Sequence, residues 1–193
     1  HVSDKPSLRG EFQLKRIFKV GVTVTLTALL TAPVAYAWTA DYYWPHTRGQ
    51  TLQITYKWGD RLDDVPNSVW RKVFTNGMNQ WTTKTGNKVR FSESSSSSNI
   101  LNTYDDDDGN YGICYRWTHW LTGKLTKFEA YGNVNTTAGV SDTFRQSVAT
   151  HELGHGLGLG HSDQVAVMNT DRDRNRIYVP QTDDVNGILS MYP

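Results

Sequence analysis

The sequence predicts an α+β domain in which strands dominate the first half and helices the second. Three patterns carry this prediction. Short segments that alternate apolar and polar residues recur between 51 and 135, an apolar stripe of helical spacing lies within 63–86, and a second helical pattern occupies 182–193. The chain has 193 residues, 37% of them hydrophobic, and a net charge of +1, which suits a globular protein and gives no electrostatic indication of nucleic-acid binding.

The N-terminal residues have the pattern of a secretory signal. Basic residues within 15–19 precede the apolar segment 20–32, and small residues follow as far as Ala37. This apolar segment is short for a membrane span. The alternation of Val and Thr over 22–27 also suits a β-strand, which is the alternative interpretation.

We therefore predict a leader with a signal peptide over 1–37 and a single domain over 38–193. After removal of the leader, the protein is expected to be extracellular, to make no contact with a membrane and to be monomeric. Cys114 is the single cysteine, so no disulfide can form within the chain, and we expect its thiol to be a small core group.

The elements of the domain follow in chain order. A helix is predicted over 63–86, where Trp70 and Trp81 lie on one apolar face, with Pro66 in its first turn and Gly86 at its end. Five strands are predicted at 51–58, 88–93, 99–104, 111–117 and 124–135. A short final helix begins near Thr182 as its cap, with an apolar face predicted at Val185, Ile188, Leu189 and Tyr192.

Two charged segments have two interpretations each. In the turn 105–110, oxygen donors at alternate positions favour a calcium site at Asp106, Asp108 and Asn110, while a solvated acidic turn explains the same residues. The segment 171–176 alternates in sign, and we interpret it as a solvated loop rather than a binding patch.

The segment HELGHGLGLGH, residues 151–161, concentrates metal-binding side chains. The spacing of Thr143 and Gln146 suits a capping box, so a helix is predicted to begin there and to run into this segment. His151 and His155 then lie on one helical face, about 6 Å apart along the axis, where two imidazoles can bind one metal ion. Glu152 is adjacent and can reach a water on that ion.

The glycine after the second histidine completes the predicted site. Gly158 allows the helix to end in a left-handed residue, and the resulting turn brings His161 back toward the other two imidazoles. Three neutral imidazoles favour Zn²⁺ and leave one coordination position open for water, whose proton Glu152 can accept. A structural zinc is disfavoured because no fourth Cys or His ligand follows nearby.

This pattern resembles that of the metzincin metallopeptidases, whose signature is H-E-x-x-H-x-x-G-x-x-H followed by a methionine turn. Met168 matches that methionine, and the segments 161–168 and 181–193 are similar to those of the matrixin branch. The resemblance implies a twisted, mostly parallel sheet with one antiparallel edge strand, an active-site helix below an open cleft and a C-terminal helix. It also implies hydrolysis of protein or peptide substrates that lie along the edge strand, which we expect near 124–135.

The sequence departs from the matrixin pattern after Met168. Matrixins usually carry Met-x-Pro-x-Tyr, which forms a wall of the substrate pocket, whereas this chain has MNTDRDRNRIYVP, so Tyr178 or Pro180 is expected to form that wall. Thr170 stands where some metzincins have a tyrosine that binds zinc. We find no counterpart of a second zinc segment and expect no cysteine-switch pro-region between leader and domain.

Three functions compete at this stage. The leading hypothesis is a secreted zinc metalloendopeptidase. A zinc-dependent amidase or cell-wall hydrolase would use the same residues on another substrate. A binding module that is not catalytic would be expected to lack one of the histidines or Glu152, and all four are present.

Overall fold

The computed structural model describes residues 38–62 and 68–193, so the predicted leader at 1–37 and the predicted role of Pro66 lie outside the described residues. The elements are β1 (Leu52–Trp58), α1 (Ser68–Lys84), β2 (Val89–Glu93), β3 (Ile100–Tyr104), β4 (Gly112–Thr118), β5 (Leu125–Asn133), α2 (Asp142–Gly156) and α3 (Thr182–Met191), and a 3-10 turn lies at Asp60–Leu62. The α+β prediction is confirmed.

The five strands form one mixed sheet in the order β2-β1-β3-β5-β4. Its neighbouring pairs are parallel except β4, which runs antiparallel to β5. The prediction that the strand near 124–135 forms the edge is therefore wrong. Because β3 occupies one side of β5, and the short connection 119–124 lets β4 fold back only as an antiparallel neighbour, β4 takes the edge.

The two long helices pack against each other with the core between them and the sheet. Trp70 and Trp81 of α1 are fully buried, as their helical spacing predicts. The indole N–H of Trp81 donates to the carbonyl of Thr150 at 2.9 Å, and that of Trp44 donates to the carbonyl of Gly156 at 2.9 Å. These bonds fix α2 at two points along its length, which determines the position of the histidine segment.

The helix starts differ from the predictions by one or two residues. Ser141 caps α2, and its hydroxyl accepts from the N–H of Phe144 at 3.0 Å, so the predicted capping box at Thr143 and Gln146 does not form. Gln181 precedes α3 as its cap, in place of Thr182. A serine outside the predicted box is as good a cap as the threonine inside it, and tertiary contacts decide between them.

Only part of the predicted apolar face of α3 is buried. Ile188 and Tyr192 are buried, whereas Leu189 is 38% exposed. Adjacent helical positions differ by about 100°, so the face centred on Ile188 turns Leu189 toward solvent. No helix within the described ranges is long and apolar enough to cross a membrane.

Candidate metal centre and cleft

The end of α2 has the geometry that Gly158 predicts. Gly158 has φ +106°, its N–H donates to the carbonyl of His155 at 2.9 Å, and the N–H of Leu159 donates to the carbonyl of Gly154 at 3.0 Å. This pair of bonds is a Schellman motif. A side chain at 158 would also collide with the carbonyl of Tyr42. The chain therefore reverses sharply after the helix.

The reversal brings three imidazoles together. The ring centroid of His151 lies 4.7 Å from that of His155 and 5.3 Å from that of His161, and the last two centroids are 4.8 Å apart. One potential ligand atom of each ring lies within 4.8 Å of those of the other two. Among the described residues this is the one cluster of three or more His, Cys, Asp or Glu side chains with that geometry. The structure thus brings together the three histidines that the motif predicts.

The outer nitrogen atoms of two rings are oriented by backbone carbonyls. His151 Nδ1 lies 2.8 Å from the carbonyl of Val167, and His155 Nδ1 lies 2.8 Å from the carbonyl of Leu159. A carbonyl only accepts, so each Nδ1 carries the proton and each Nε2 presents a lone pair.

The spacing of the inner nitrogen atoms suits zinc. His155 Nε2 and His161 Nε2 are 3.2 Å apart. Two imidazole ligands of a tetrahedral zinc, each at about 2.0–2.1 Å, lie roughly 3.3 Å apart. Donor type, tautomer and spacing therefore all fit Zn²⁺ at this cluster.

Burial keeps the three imidazoles neutral. It lowers the pKa of His151 well below its ordinary value, lowers that of His155 to about 4, and also lowers that of His161. A neutral imidazole is the form that binds a metal ion, so the cluster is ready for a cation at neutral pH.

Glu152 lies beside the histidines as a buried carboxyl group. Burial raises its pKa to about 8, against the opposing effect of Arg172, Arg174 and Arg116. The described residues offer its carboxylate no hydrogen bond, and a Cβ added to Gly112 of β4 would stand 2.9 Å from Glu152 Oε1. The edge strand can pass over this carboxyl only because residue 112 is glycine.

An open cleft of about 480 Å³ surrounds these groups. Its floor is α2, one side is β4, and the other side is formed by Thr170, Arg172 and Arg174. Neither Tyr178 nor Pro180 lines it, so the predicted wall is wrong.

Contacts to α2 explain why Tyr178 and Pro180 stay outside the cleft. The hydroxyl of Ser147 donates to the carbonyl of Ile177 at 2.6 Å, and that of Thr150 donates to the carbonyl of Tyr178 at 3.0 Å. Pro180 lines a separate, smaller depression beside Lys84.

Arg172 is a residue of the site that the sequence analysis missed. We interpreted its segment as solvated, but Arg172 is 6% exposed and donates to the hydroxyl and carbonyl of Ser147 at 2.9 and 3.0 Å and to the carbonyl of Asn169 at 2.8 Å. Its Nη1 lies 3.2 Å from His151 Nδ1. The acceptors of Arg172 are carbonyls and a hydroxyl rather than acidic side chains. The order of charged residues along the chain therefore does not reveal that this arginine is buried.

Met168 lies buried against the helix between the first two histidines, with its Sδ packed on Gly154. The loop that carries it is held by Asp184 of α3, which accepts from the N–H of Val167 at 2.7 Å and from that of Met168 at 3.0 Å. The position matches the predicted methionine turn. Asp184 is a second residue that the sequence analysis missed, since we treated it only as an acidic residue at a helix start.

The predicted calcium site finds no support. Asp108 accepts hydrogen bonds from Tyr104, from Asn133 and from both the backbone and the side chain of Asn110. Asn133 also donates to the carbonyl of Asp106 at 2.8 Å. The turn is therefore organised by amide donors on the oxygen atoms that calcium would need.

Cys114 is partly buried, packs against the hydrophobic core and also lines the cleft. Burial, with a further effect of the Glu152 charge, raises the pKa of its thiol well above the ordinary value. The sulfur is therefore a thiol at neutral pH.

Comparison with known proteins agrees with this site. Residues 103–193 match the family model described as Matrixin. The chain is 30% identical over 165 residues to Metalloendoproteinase 2-MMP of Arabidopsis thaliana, a match that covers 77% of this chain and 42% of that protein. It is 53% identical over 49 residues to Metalloendoproteinase 1-MMP of the same organism, covering 24% and 14% of the two chains. The chain thus spans less than half the length of these curated relatives.

The fold also occurs in a solved structure, the GM1-bound form of the ECX AB5 holotoxin. The TM-score is 0.52 at 15% identity, over 78% of this chain and 87% of that one, which is a likeness of fold alone. The sheet, the helix and the histidine cluster fit a metzincin fold. Residues 103–193 match the matrixin family, and the identity to the plant protein supports a matrixin-like domain.

Proposed function

We propose that this chain is a secreted zinc endopeptidase in which Glu152 is the general base. The convergence of three neutral imidazoles beside a buried carboxyl group, in an open cleft along a sheet edge, is the observation that carries the proposal. His151, His155 and His161 would hold the metal. Bound zinc would supply a Lewis acid that polarises the scissile carbonyl and acidifies water.

Residues of the chain would transfer the proton and orient the metal ligands. Glu152 takes a proton from water and returns it to the leaving amine, and a cation held by the histidines would favour its ionised form by opposing the effect of burial. Val167 and Leu159 orient two of the rings through their carbonyls. Met168 supports the site from below, packed on Gly154.

The substrate would add itself to the sheet along β4. The outer edge of β4 pairs with no other described strand, and its residues from 112 to 114 line the cleft over Glu152. An extended peptide can hydrogen-bond to such an edge and place one peptide bond over the histidines. This arrangement favours a peptide substrate over the amidase alternative.

The test is cleavage of unfolded casein by the purified full-length chain, with and without a zinc chelator. Glu152→Gln is expected to lower the rate by about 10²–10⁴ while zinc content, measured by atomic absorption, stays at the wild-type level. Glu93→Gln is the matched control, because Glu93 is an exposed carboxyl group on β2, at the opposite edge of the sheet. Cleavage that survives both the chelator and Glu152→Gln would contradict the proposal. Zinc binding without cleavage of any peptide would contradict the peptidase proposal and favour the amidase alternative.

Secretion rests on the basic, apolar and small-residue pattern of 15–37. Expression of the whole chain in a secreting bacterial host should release a protein whose N-terminal sequence begins at Trp38. Retention of the intact chain inside the cell would argue against a cleaved signal.

A further inference from the structure

The cleft wall formed by Thr170, Arg172 and Arg174 carries positive charge that no carboxylate of the described residues neutralises by an ion pair. A third arginine at the cleft, Arg116, is different because it pairs with Asp41 at 2.9 Å. The other two guanidinium groups form no ion pair within the described ranges. Two guanidinium groups without ion pairs do not favour the binding of an apolar side chain in this cleft.

The hydrogen bonds of these two arginines go to neutral acceptors. Arg172 uses its donors on the hydroxyl and carbonyl of Ser147 and the carbonyl of Asn169. Arg174 donates from Nη2 to the carbonyl of Thr170 at 3.0 Å. These bonds fix both guanidinium groups in place and leave their charges intact.

Arg174 also has a buried donor without a partner. Its Nε is buried and makes no hydrogen bond among the described residues. Its guanidinium lies over the rings of Tyr111 and Phe144, at 4.8 and 5.6 Å from their centroids. The rings hold the group at the cleft without neutralising it, and an unsatisfied buried donor on a charged group is costly unless a ligand supplies the acceptor.

The nearby carboxyl groups form no ion pair with these two arginines, and the charge of Glu152 acts on both of them only at longer range. Asp184 is occupied by the backbone N–H groups of Val167, Met168 and Gln181. The two guanidinium groups line the same wall of the cleft, so a bound anion would relieve the repulsion between them.

We propose that Arg172 and Arg174 form a carboxylate-binding subsite, which selects substrates with a carboxylate beside the cleaved bond. This inference rests on the proposed peptidase function and specifies its substrate class. The carboxylate has two chemical sources, an Asp or Glu side chain or the free C-terminus of a short peptide. A guanidinium recognises both in the same way, through charge-assisted hydrogen bonds.

The first experiment measures kcat/KM of the zinc-loaded full-length chain on quenched fluorescent peptides. The parent sequence is a casein site that the protein cleaves, with Glu, Gln or Leu placed in turn at two positions on each side of the scissile bond. At one position, Glu should be preferred over Gln by about 10- to 100-fold. The preference should shrink as salt is raised, because ions screen an attraction at an open cleft. Each peptide is made with a free and an amidated C-terminus, so a preference that disappears on amidation identifies the terminal carboxylate as the source.

The variants separate charge recognition from folding. Arg174→Gln should lower kcat/KM for the Glu peptide by about tenfold and leave the Gln peptide within twofold. Arg176→Gln is the matched control in the same loop, because its side chain is 85% exposed, pairs with Asp173 and does not line the cleft. Arg172→Lys, which keeps the charge, should retain part of the preference. Equal cleavage of the Glu and Gln peptides by the wild type would overturn the subsite while the peptidase stands.

A binding measurement keeps the subsite testable without turnover. Zinc-loaded Glu152→Gln is titrated calorimetrically with the Glu and Gln peptides, and again after Arg174→Gln is added. Tighter binding of the Glu peptide that Arg174→Gln removes supports the subsite, even if the wild type cleaves no peptide and the proposed function fails. Equal affinity for the two peptides overturns it.

Discussion

Gly158 controls the direction of the chain between His155 and His161, and two separate effects require glycine there. The backbone is left-handed at φ +106°, and the space for a side chain is taken by the carbonyl of Tyr42. The first effect costs an alanine about 1 kcal/mol. The second would displace the segment that precedes β1.

Gly158→Ala should therefore destabilise the fold by more than the backbone effect alone, by about 2–4 kcal/mol, and should weaken zinc binding at the same time. Gly139→Ala is the matched control, since Gly139 has φ +75° and nothing lies within 4 Å of its missing Cβ. The measurement is urea unfolding with zinc content on the same samples. Equal destabilisation by the two variants would show that the contact with Tyr42 is unimportant.

His155 gives the metal-free protein a predictable dependence on pH. Burial lowers its folded-state pKa to about 4 from 6.5, so the unfolded chain takes up the proton first. The contribution of neutral His155 to the free energy of unfolding should thus be present in full above pH 6.5 and be lost as the pH drops from about 6.5 toward 4. Urea unfolding in a chelator at several pH values tests this, and His155→Gln should flatten the slope. An unchanged slope in that variant would assign the effect to other groups.

At the scale of elements, Asp184 connects α3 to the loop below the histidines. Its carboxylate accepts three backbone N–H groups, those of Val167, Met168 and Gln181. An asparagine at this position keeps one oxygen, but its NH₂ group replaces the other and faces a backbone N–H. Two donors cannot bond to each other, so at least one hydrogen bond is lost. The helix start and the methionine loop would loosen together.

Asp184→Asn should lower the free energy of unfolding by about 1–3 kcal/mol and raise the zinc dissociation constant, because the loop also carries the carbonyl that orients His151. Asp183→Asn is the neighbouring control. Asp183 accepts from the hydroxyl of Ser162 at 2.8 Å, and an asparagine retains an oxygen for that bond. Chemical unfolding and competitive zinc titration measure both effects. Equal losses in the two variants would remove the special role of Asp184.

Sequence patterns predicted the elements that depend on residues close together in the chain. Helical spacing located α1, alternation located the first strand, the sequence pattern also placed the other four, and the histidine motif predicted the turn at Gly158. The edge strand was mispredicted because periodicity shows which face of a strand is buried and not which strand lies beside it. Arg172 and the cleft wall were missed because their partners, on Ser147 and Asn169, are acceptors that any sequence supplies.

At the scale of the molecule, the metal site would join α2 to the end of the segment that follows it. His151 and His155 belong to α2, whereas His161 lies in the segment after it and is exposed. A common ion would tie that segment to the helix. The ion binds the folded chain and not the dispersed histidines of the unfolded one, so its binding energy adds to stability.

Zinc at 100 times its dissociation constant should therefore stabilise the full-length chain by about 2.7 kcal/mol and raise Tm by several degrees. A chelator should reverse the shift and added zinc restore it, as followed by circular dichroism on heating. In His161→Gln the metal-free Tm should stay close to that of the wild type, because this histidine is exposed, while the zinc-dependent rise should largely disappear. His119→Gln, at another exposed histidine that does not line the cleft, should keep the full rise. A zinc-dependent rise that persists in His161→Gln would mean that the third ligand comes from elsewhere, and the assignment of the site would have to change.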